Sequence, residues 1–315
     1  MKKISVKLFI ISVILGTISC TNQGLKRNKS GLLYKIISDG KNPLVKKGEF
    51  LKLNFVQKLR DSVIYSSMDG MPGYVQVDSS SQDYSPAAIF SMLRKGDSAV
   101  TIQLGDSIER KSGRPLPPFI KKKDKITLSF KVLDVFATED LLKQDREKEM
   151  QKERQKESTA IENYIQKNNI QVQKTAAGTF VEVKSVGDGP AVDSGKLVSV
   201  LYTGKSFPSG KVFETNMTGP HKDPIKFIVG QRNGMIKGWD DGLRLFKKGG
   251  KGTLYIPAFL AYDASPGPEN KPFQNLIFDV EIADVTDAPA PKAPTHTIAP
   301  PPNIQKPSAT AKPAK

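Results

Sequence analysis

Few side chains in this 315-residue sequence are equipped for bond-breaking chemistry. There is one cysteine, Cys20, and there are two histidines. A lone cysteine cannot form an intrachain disulfide and argues against a Cys-based metal site, so neither metal nor cofactor is expected. His221 stands by itself in a Pro/Gly loop and reads as solvated. What remains distinctive is Trp239, the single tryptophan, in the stretch Gly234-Met-Ile-Lys-Gly-Trp-Asp-Asp-Gly-Leu-Arg-Leu-Phe246. Ile236, Trp239, Leu243 and Phe246 recur at steps of three, four and three, which is one stripe of a short helix. A tryptophan on such a stripe is ordinarily core, so the stripe by itself speaks for packing.

The elements that must hold this stripe are strands. Residues 170–287 read as Thr179–Lys184, Leu197–Thr203, Val212–Thr215, Ile225–Val229, Gly252–Ile256 and Leu276–Val285, with the helix between the fourth and fifth. Gly249-Gly250 is expected to stop the helix. Gly238 and Gly242, four apart, let its backbone lie close to a neighbour. A long Pro/Gly loop, 257–275, joins the last two strands. The class is α+β: a curved antiparallel sheet wrapped on one short helix.

Residues 31–137 give a second such pattern: Leu32–Ile37, Phe50–Leu59, Val63–Tyr65, Ala99–Leu104 and Lys125–Val135, with a helical piece Pro86–Arg94. The two stretches look like copies. Gly48 precedes Phe55 by the same interval that separates Gly195 from Tyr202, and Tyr65-Ser66-Ser67 falls opposite Phe213-Glu214-Thr215. Trp239 falls near Pro86, with no aromatic replacing it. Between the copies, residues 138–169 form a charged linker helix. Asp145/Lys148, Glu149/Lys152 and Glu153/Lys156 are opposite charges three apart, so this helix reads as solvent-exposed until Ile161, Tyr164 and Ile165.

The formal net charge of +16 is spread along the chain without an arginine-rich block. That favours solubility and loose attraction to anionic surfaces, and no nucleic-acid motif accompanies it. Residues 1–20 read as a targeting segment: Lys2, Lys3 and Lys7, then an apolar run Leu8–Leu15 too short to span a bilayer. The run closes on Gly16-Thr-Ile-Ser-Cys20. This resembles a bacterial lipoprotein lipobox, with Thr17 where Leu is usual. It implies acylation of Cys20 and a place in the cell envelope, on the outer membrane facing the periplasm. Residues 21–30 are a polar tether, and 288–315 form a Pro/Ala/Lys tail expected to be disordered.

The second domain resembles the FKBP-type peptidyl-prolyl cis-trans isomerases along its whole length. The resemblance rests on the order of Val200-Leu-Tyr-Thr-Gly204, Gly210-Lys-Val-Phe-Glu-Thr215, Phe227-Ile-Val-Gly230, Met235-Ile-Lys-Gly-Trp-Asp-Asp-Gly242, Ile256-Pro257, Ala261-Tyr262 and Leu276-Ile-Phe-Asp-Val-Glu281. It implies that Trp239 floors a proline pocket, with Tyr202, Phe213, Phe227, Met235, Ile236 and Phe278 as walls. It further implies that the Ile236 N–H and the Tyr262 hydroxyl hold substrate carbonyls. Glu214, in the place of an Asp, would orient the Tyr202 hydroxyl.

Three positions depart from the family pattern: Glu214, Ile225 where an aromatic is usual, and Asp263 where Gly is usual. The first domain looks like a degenerate relative, without the Trp and with Phe55 in place of Tyr202. The implied partners are proline-containing unfolded or extracytoplasmic polypeptides, and the membrane through the N-terminal lipid; the oligomeric state is open. Two further readings stand beside the enzyme: a non-catalytic, lipid-anchored chaperone or scaffold built from two FKBP-like domains, and a binder of anionic polymers acting through charge alone.

Overall fold

The structure is a computed structural model that describes residues 24–68, 70–78, 84–218, 223–231 and 235–289. Cys20, His221, Gly234 and most of the C-terminal tail lie outside the described residues. The chain divides into two units, Met1–Asn169 with Pro257–Asn275, and Ile170–Ile256 with Leu276–Lys315.

In the first unit β1 (Lys26–Arg27), β2 (Leu33–Ile37), β3 (Phe50–Leu59), β4 (Ser62–Ser66), β5 (Gly73–Gln76), β6 (Ser98–Leu104) and β7 (Lys125–Phe136) form one antiparallel sheet. Its order is β1-β2-β6-β7-β3-β4, and β5 pairs with β3. Helix α1 (Gly105–Ser112) follows β6, and α2 (Glu139–Lys167) follows β7. In the second unit β8 (Gln173–Lys174), β9 (Phe180–Ser185), β10 (Lys196–Ser206), β11 (Val212–Thr215), β12 (Ile225–Ile228), β13 (Lys251–Ile256) and β14 (Leu276–Asp287) make the other sheet. The order β8-β9-β13-β14-β10-β11, with β12 on β10, repeats that of the first sheet strand for strand. Helix α3 (Lys237–Gly242) lies between β12 and β13.

The repetition extends to irregularities. The ladder β3–β7 slips between Lys52 and Leu53, and β10–β14 slips between the equivalent Ser199 and Val200. Gly31, Gly40 and Gly48 have φ of 87°, 72° and 86°; Gly178, Gly187 and Gly195 have 115°, 87° and 82°. These are left-handed turns that glycine adopts without a Cβ penalty. The turn into each first long strand is thus written in glycines.

Several sequence expectations are corrected. The helical piece expected at Pro86–Arg94 is a 3-10 helix and ends earlier, at Met92. Strand β5 is absent from the strands expected of this stretch; its ladder with β3 begins at Gly73. Helix α1 carries too few apolar residues to show a stripe, and only Gly105 of it is buried. Register places Tyr65, not Ser66, opposite the position of Glu214: Gln57 pairs with Tyr65 as Gly204 pairs with Glu214. The alignment of copies therefore shifts by one residue at this hairpin.

The linker helix is not solvated all round. Thr138 caps it, its Oγ1 accepting the Leu141 N–H, and Lys152 and Lys156 pair with Glu149 and Glu153 as the spacing predicts. Asp145, however, faces Lys52 of β3 at 2.7 Å and accepts the Tyr74 hydroxyl at 2.7 Å. Glu149 reaches the same ammonium at 3.1 Å. Burial works against charge on Lys52, but these two carboxylates outweigh it and raise the pKa of its ammonium. A helix of low apolar content docks here through ion pairs, a contact that an apolar stripe does not report.

Candidate active site

Helix α3 is set by what surrounds it. Ile236, at its N-cap, is extended (φ −67°, ψ 141°), and its carbonyl accepts the Trp239 N–H at 3.1 Å. Trp239, Leu243 and Phe246 are 2%, 0% and 1% exposed, so the stripe faces the sheet. A Cβ on Gly238 would come within 2.3 Å of Ile256 Cγ2, and one on Gly242 within 3.0 Å of Leu254 Cδ2. The two glycines thus let the helix lie on β13 at a distance no side chain would allow. The helix tightens into a 3-10 turn at Leu243–Leu245, and Phe246 is already extended. Gly249-Gly250 comes too late to stop it; Gly249, at φ 85°, instead serves the turn into β13.

Three strands bring rings to the indole. Tyr202 of β10 lies 5.0 Å from Trp239 at 80°, and Phe278 of β14 lies 5.3 Å away at 88°. Phe227 of β12 stands 6.1 Å away at 53°. These are edge-to-face and tilted contacts, the arrangement that ring quadrupoles favour. Phe213 extends the cluster through Phe278, at 5.9 Å and 87°. Its position has a specific cause. The β10–β11 register slips between Gly204 and Lys205, so Phe213 has no partner of its own opposite it. A bulge of this kind re-aims the side chain. The ring then occupies the space over Gly204, where a Cβ would come within 2.7 Å of it.

The structure therefore assembles Tyr202, Phe213, Phe227, Trp239 and Phe278. Phe213, Met235 and Ile236 are half-buried, whereas the other four rings are nearly closed off. The Trp239 Nε1–H is buried without an acceptor among the described residues. Glu214 is exposed and pairs with Gly204 across the ladder. Tyr262 lies on the loop 257–275 and is 42% exposed. Ile225 begins β12 and is half-buried. Asp263 has φ 53°, a left-handed conformation that Asp tolerates better than most residues, which gives a reason for glycine being usual there.

One supporting residue was not singled out from the sequence. Asn216 Oδ1 accepts the Tyr202 N–H at 2.6 Å, while its Nδ2 donates to the carbonyls of Val200 and Asp223 at 3.2 and 3.0 Å. It pins β10 at the tyrosine that meets the indole. The signal lay in the other copy: Ser67 Oγ accepts the Phe55 N–H at 2.8 Å, in the same place. Behind the rings, Asp279 accepts hydrogen bonds from Thr253 (2.9 Å) and Lys205, joining β10, β13 and β14. Burial opposes its charge, but those donors hold its carboxyl below the ordinary range.

Comparison with known families gives this ring cluster a context. The model of the family described as FKBP-type peptidyl-prolyl cis-trans isomerase matches residues 189–283, which include every ring of the cluster and Tyr262. Through these residues the chain belongs to the FKBP-type peptidyl-prolyl cis-trans isomerase family. A probable FKBP-type isomerase of Haemophilus influenzae is 40% identical over 115 residues, covering 36% of this chain and 45% of that protein. The FKBP-type isomerase FkpA of Escherichia coli K12 is 38% identical over 122 residues, covering 39% of this chain and 42% of that one. The chain thus spans less than half the length of these curated FKBP relatives. The crystal structure of FkpA from Escherichia coli matches with 33% identity over 48% of this chain and 69% of that one, at a TM-score of 0.37.

Proposed function

We propose that the second unit catalyses cis–trans isomerisation of X-Pro peptide bonds. The observation that carries this is the indole of Trp239 met edge-to-face by Tyr202 and Phe278 and at a tilt by Phe227, inside the span of the family match. Rotation about a peptide bond meets a barrier of about 18–20 kcal/mol, while the cis and trans forms of X-Pro differ by only about 0.5–1 kcal/mol. Nothing is broken, so the protein has only to bind the twisted amide more tightly than the planar one. Twisting removes amide resonance and with it the charge separation that water solvates. A pocket of rings in place of water favours the twisted form, provided fixed donors hold the flanking carbonyls.

The roles assigned follow the family resemblance. Trp239 floors the pocket, and Tyr202, Phe213, Phe227, Met235 and Phe278 wall it. The Ile236 N–H, which has no partner among the described residues, and the Tyr262 hydroxyl hold substrate carbonyls. Glu214 orients the Tyr202 hydroxyl. We assign no isomerisation to the first unit. Residues 1–20 and Cys20 support a lipid-anchored protein of the cell envelope, on the periplasmic side of an outer membrane, acting on proline-containing secreted or envelope polypeptides.

The test is acceleration of cis-to-trans exchange in a proline tetrapeptide by the full chain. Acceleration is the expected result. Absence of acceleration, together with suppressed aggregation of an unfolded protein, would replace the enzyme with a holding chaperone. For the anchor, Cys20→Ser is expected to move the protein from the membrane to the soluble fraction, and retention in the membrane would remove the lipid assignment.

A further inference from the structure

The connection from β6 to β7 gathers charge that the sequence disperses. Residues 106–125 hold seven lysines and arginines against three carboxylates. Folding doubles this connection back on itself. The Gly105 N–H donates to the Asp124 carbonyl at 3.0 Å and the Asp106 N–H to that of Lys122 at 2.8 Å, so the start of α1 lies against the lysine run 121–123. Two of the three carboxylates are already engaged. Glu109 pairs with Lys122 at 3.1 Å, and Asp124 accepts Nε and Nη2 of Arg60 at 2.9 and 2.8 Å. Arg110, Lys111, Arg114, Lys121, Lys123 and Lys125 are exposed and have no carboxylate at ion-pair distance among the described residues. Register brings the turn 28–31, with Lys29, to the same end of the sheet, because Arg27 lies across from Leu33, Leu33 from Ile102, and Leu104 from Lys125.

An apolar ring stands among these charges. Phe119 is 63% exposed, the most of any large apolar side chain among the described residues. Pro115, Pro117 and Pro118 precede it, and the Ile120 N–H donates to the Pro117 carbonyl at 2.9 Å, so the tip is a short, stiff turn. A stiff tip loses little freedom when it binds. The corresponding connection of the second sheet, residues 257–275, is built otherwise. It holds one lysine and two carboxylates, and it is fastened to α2: Glu157 Oε2 accepts the Phe259 N–H at 2.9 Å, and the Glu157 carbonyl accepts Asn275 Nδ2 at 2.9 Å.

We propose that α1 and the loop 113–124 form a docking surface for an anionic phospholipid membrane. The cations draw this end of the sheet to the headgroups. Phe119 enters the boundary between headgroups and acyl chains, where an aromatic ring flanked by lysines is best accommodated. A nucleic acid would be held by a series of stacked aromatics, and a polysaccharide would leave the ring in water; a single exposed ring among cations fits the membrane. The surface belongs to the first unit and does not rest on the isomerase reading. Nor does it need a lipid on Cys20. The contact is largely electrostatic, so concentrated salt releases it and leaves an acyl chain in place. Membranes washed in concentrated salt therefore report on the acyl chain alone.

The experiment sediments the full chain, carrying Cys20→Ser so that no acyl chain contributes, with two kinds of vesicle. One is phosphatidylcholine alone, and the other is equimolar phosphatidylcholine and phosphatidylglycerol. Binding is expected to the mixed vesicles and to be much weaker to the neutral ones. Changing Lys121, Lys122 and Lys123 together to Gln should weaken it by about fivefold per charge. The same change at three exposed lysines elsewhere, Lys211, Lys226 and Lys271, should alter it little. Phe119→Ser should weaken binding about tenfold, with circular dichroism unchanged because the ring is exposed. Phe119→Trp should bind like its parent, and mixed vesicles should shift the emission of the added indole to the blue. If the two triple variants lose binding equally, charge acts without a site and the docking surface is overturned. If Phe119→Ser binds as its parent does, or the added indole shows no shift, nothing apolar is inserted; the cations then form a site for polyanions, and the membrane assignment falls.

Discussion

The two sheets share strand order, the slip in the long ladder, the glycine turns and even the side-chain bridge that pins the central strand, yet only the second gathers rings around an indole. The positions that differ are few. Where the second unit has Tyr202, Phe227, Phe278 and Trp239, ladder register puts Phe55, Val75 and Leu128 in the first, and the helical segment puts Pro86. Phe55, Val75 and Leu128 pack with Tyr84, Ala87 and Ala88 against the first unit's core. The same scaffold thus closes over itself in one copy and holds an indole among aromatic edges in the other. Backbone turns and alternating apolar residues specify the sheet; a handful of ring positions specify the site.

The connection after the fifth long strand differs in the same spirit. In the first unit β6 runs into α1, with Gly105 pressed against the Lys121 carbonyl, which a Cβ would approach to 2.3 Å. In the second, β13 runs into a 3-10 turn at Ala258–Leu260, then Tyr262 and the left-handed Asp263. One connection is folded onto its own sheet. The other is held by a helix from elsewhere in the sequence.

Substitutions can break or sharpen this comparison. The largest effect is expected from Trp239→Ala. It empties a site that is 2% exposed, so unfolding stability should fall by about 3–5 kcal/mol, read as a lowered denaturation midpoint, and isomerisation should be lost. Next is Gly238→Ser, which writes the first unit's Ser85 into the second. Its Cβ meets Ile256 at 2.3 Å, and the overpacking should cost about 1–3 kcal/mol in chemical denaturation. Tyr262→Phe deletes one hydroxyl from a residue 42% exposed; stability should stay unchanged while isomerisation slows by an amount set by one hydrogen bond, about 0.5–1.5 kcal/mol. The smallest is Phe55→Tyr, which restores a family hydroxyl to the first unit and should leave the isomerisation rate unaltered, because no indole stands beside it.

Much of this was legible before any coordinates. The helical stripe at Trp239 and the close approach through Gly238 and Gly242 rest on spacings of three and four that follow from helix geometry, and the duplication on the matched intervals from Gly48 to Phe55 and from Gly195 to Tyr202. What stayed hidden depends on pairing. The bulge that turns Phe213 inward exists only in the register between β10 and β11, and that same register moved the copy alignment by one residue. Asn216 acts through a partner strand, so nothing around it in the sequence marks it out. The linker helix misled for a related reason: acidic residues read as solvated when their partners, Lys52 and the Phe259 amide, are far away in sequence.

The central claim is that the ring cluster of the second unit, and not its counterpart in the first, accelerates X-Pro exchange. Phe213 and Ile64 hold equivalent bulge positions on β11 and β4, and neither is deeply buried, so both tolerate truncation. The direct measurement is the exchange rate of a proline tetrapeptide with the natural chain, with Phe213→Ala and with Ile64→Ala. The account predicts acceleration by the natural chain, a marked loss with Phe213→Ala and no change with Ile64→Ala. Equal rates for Phe213→Ala and the natural chain, or an equal loss from Ile64→Ala, would contradict it.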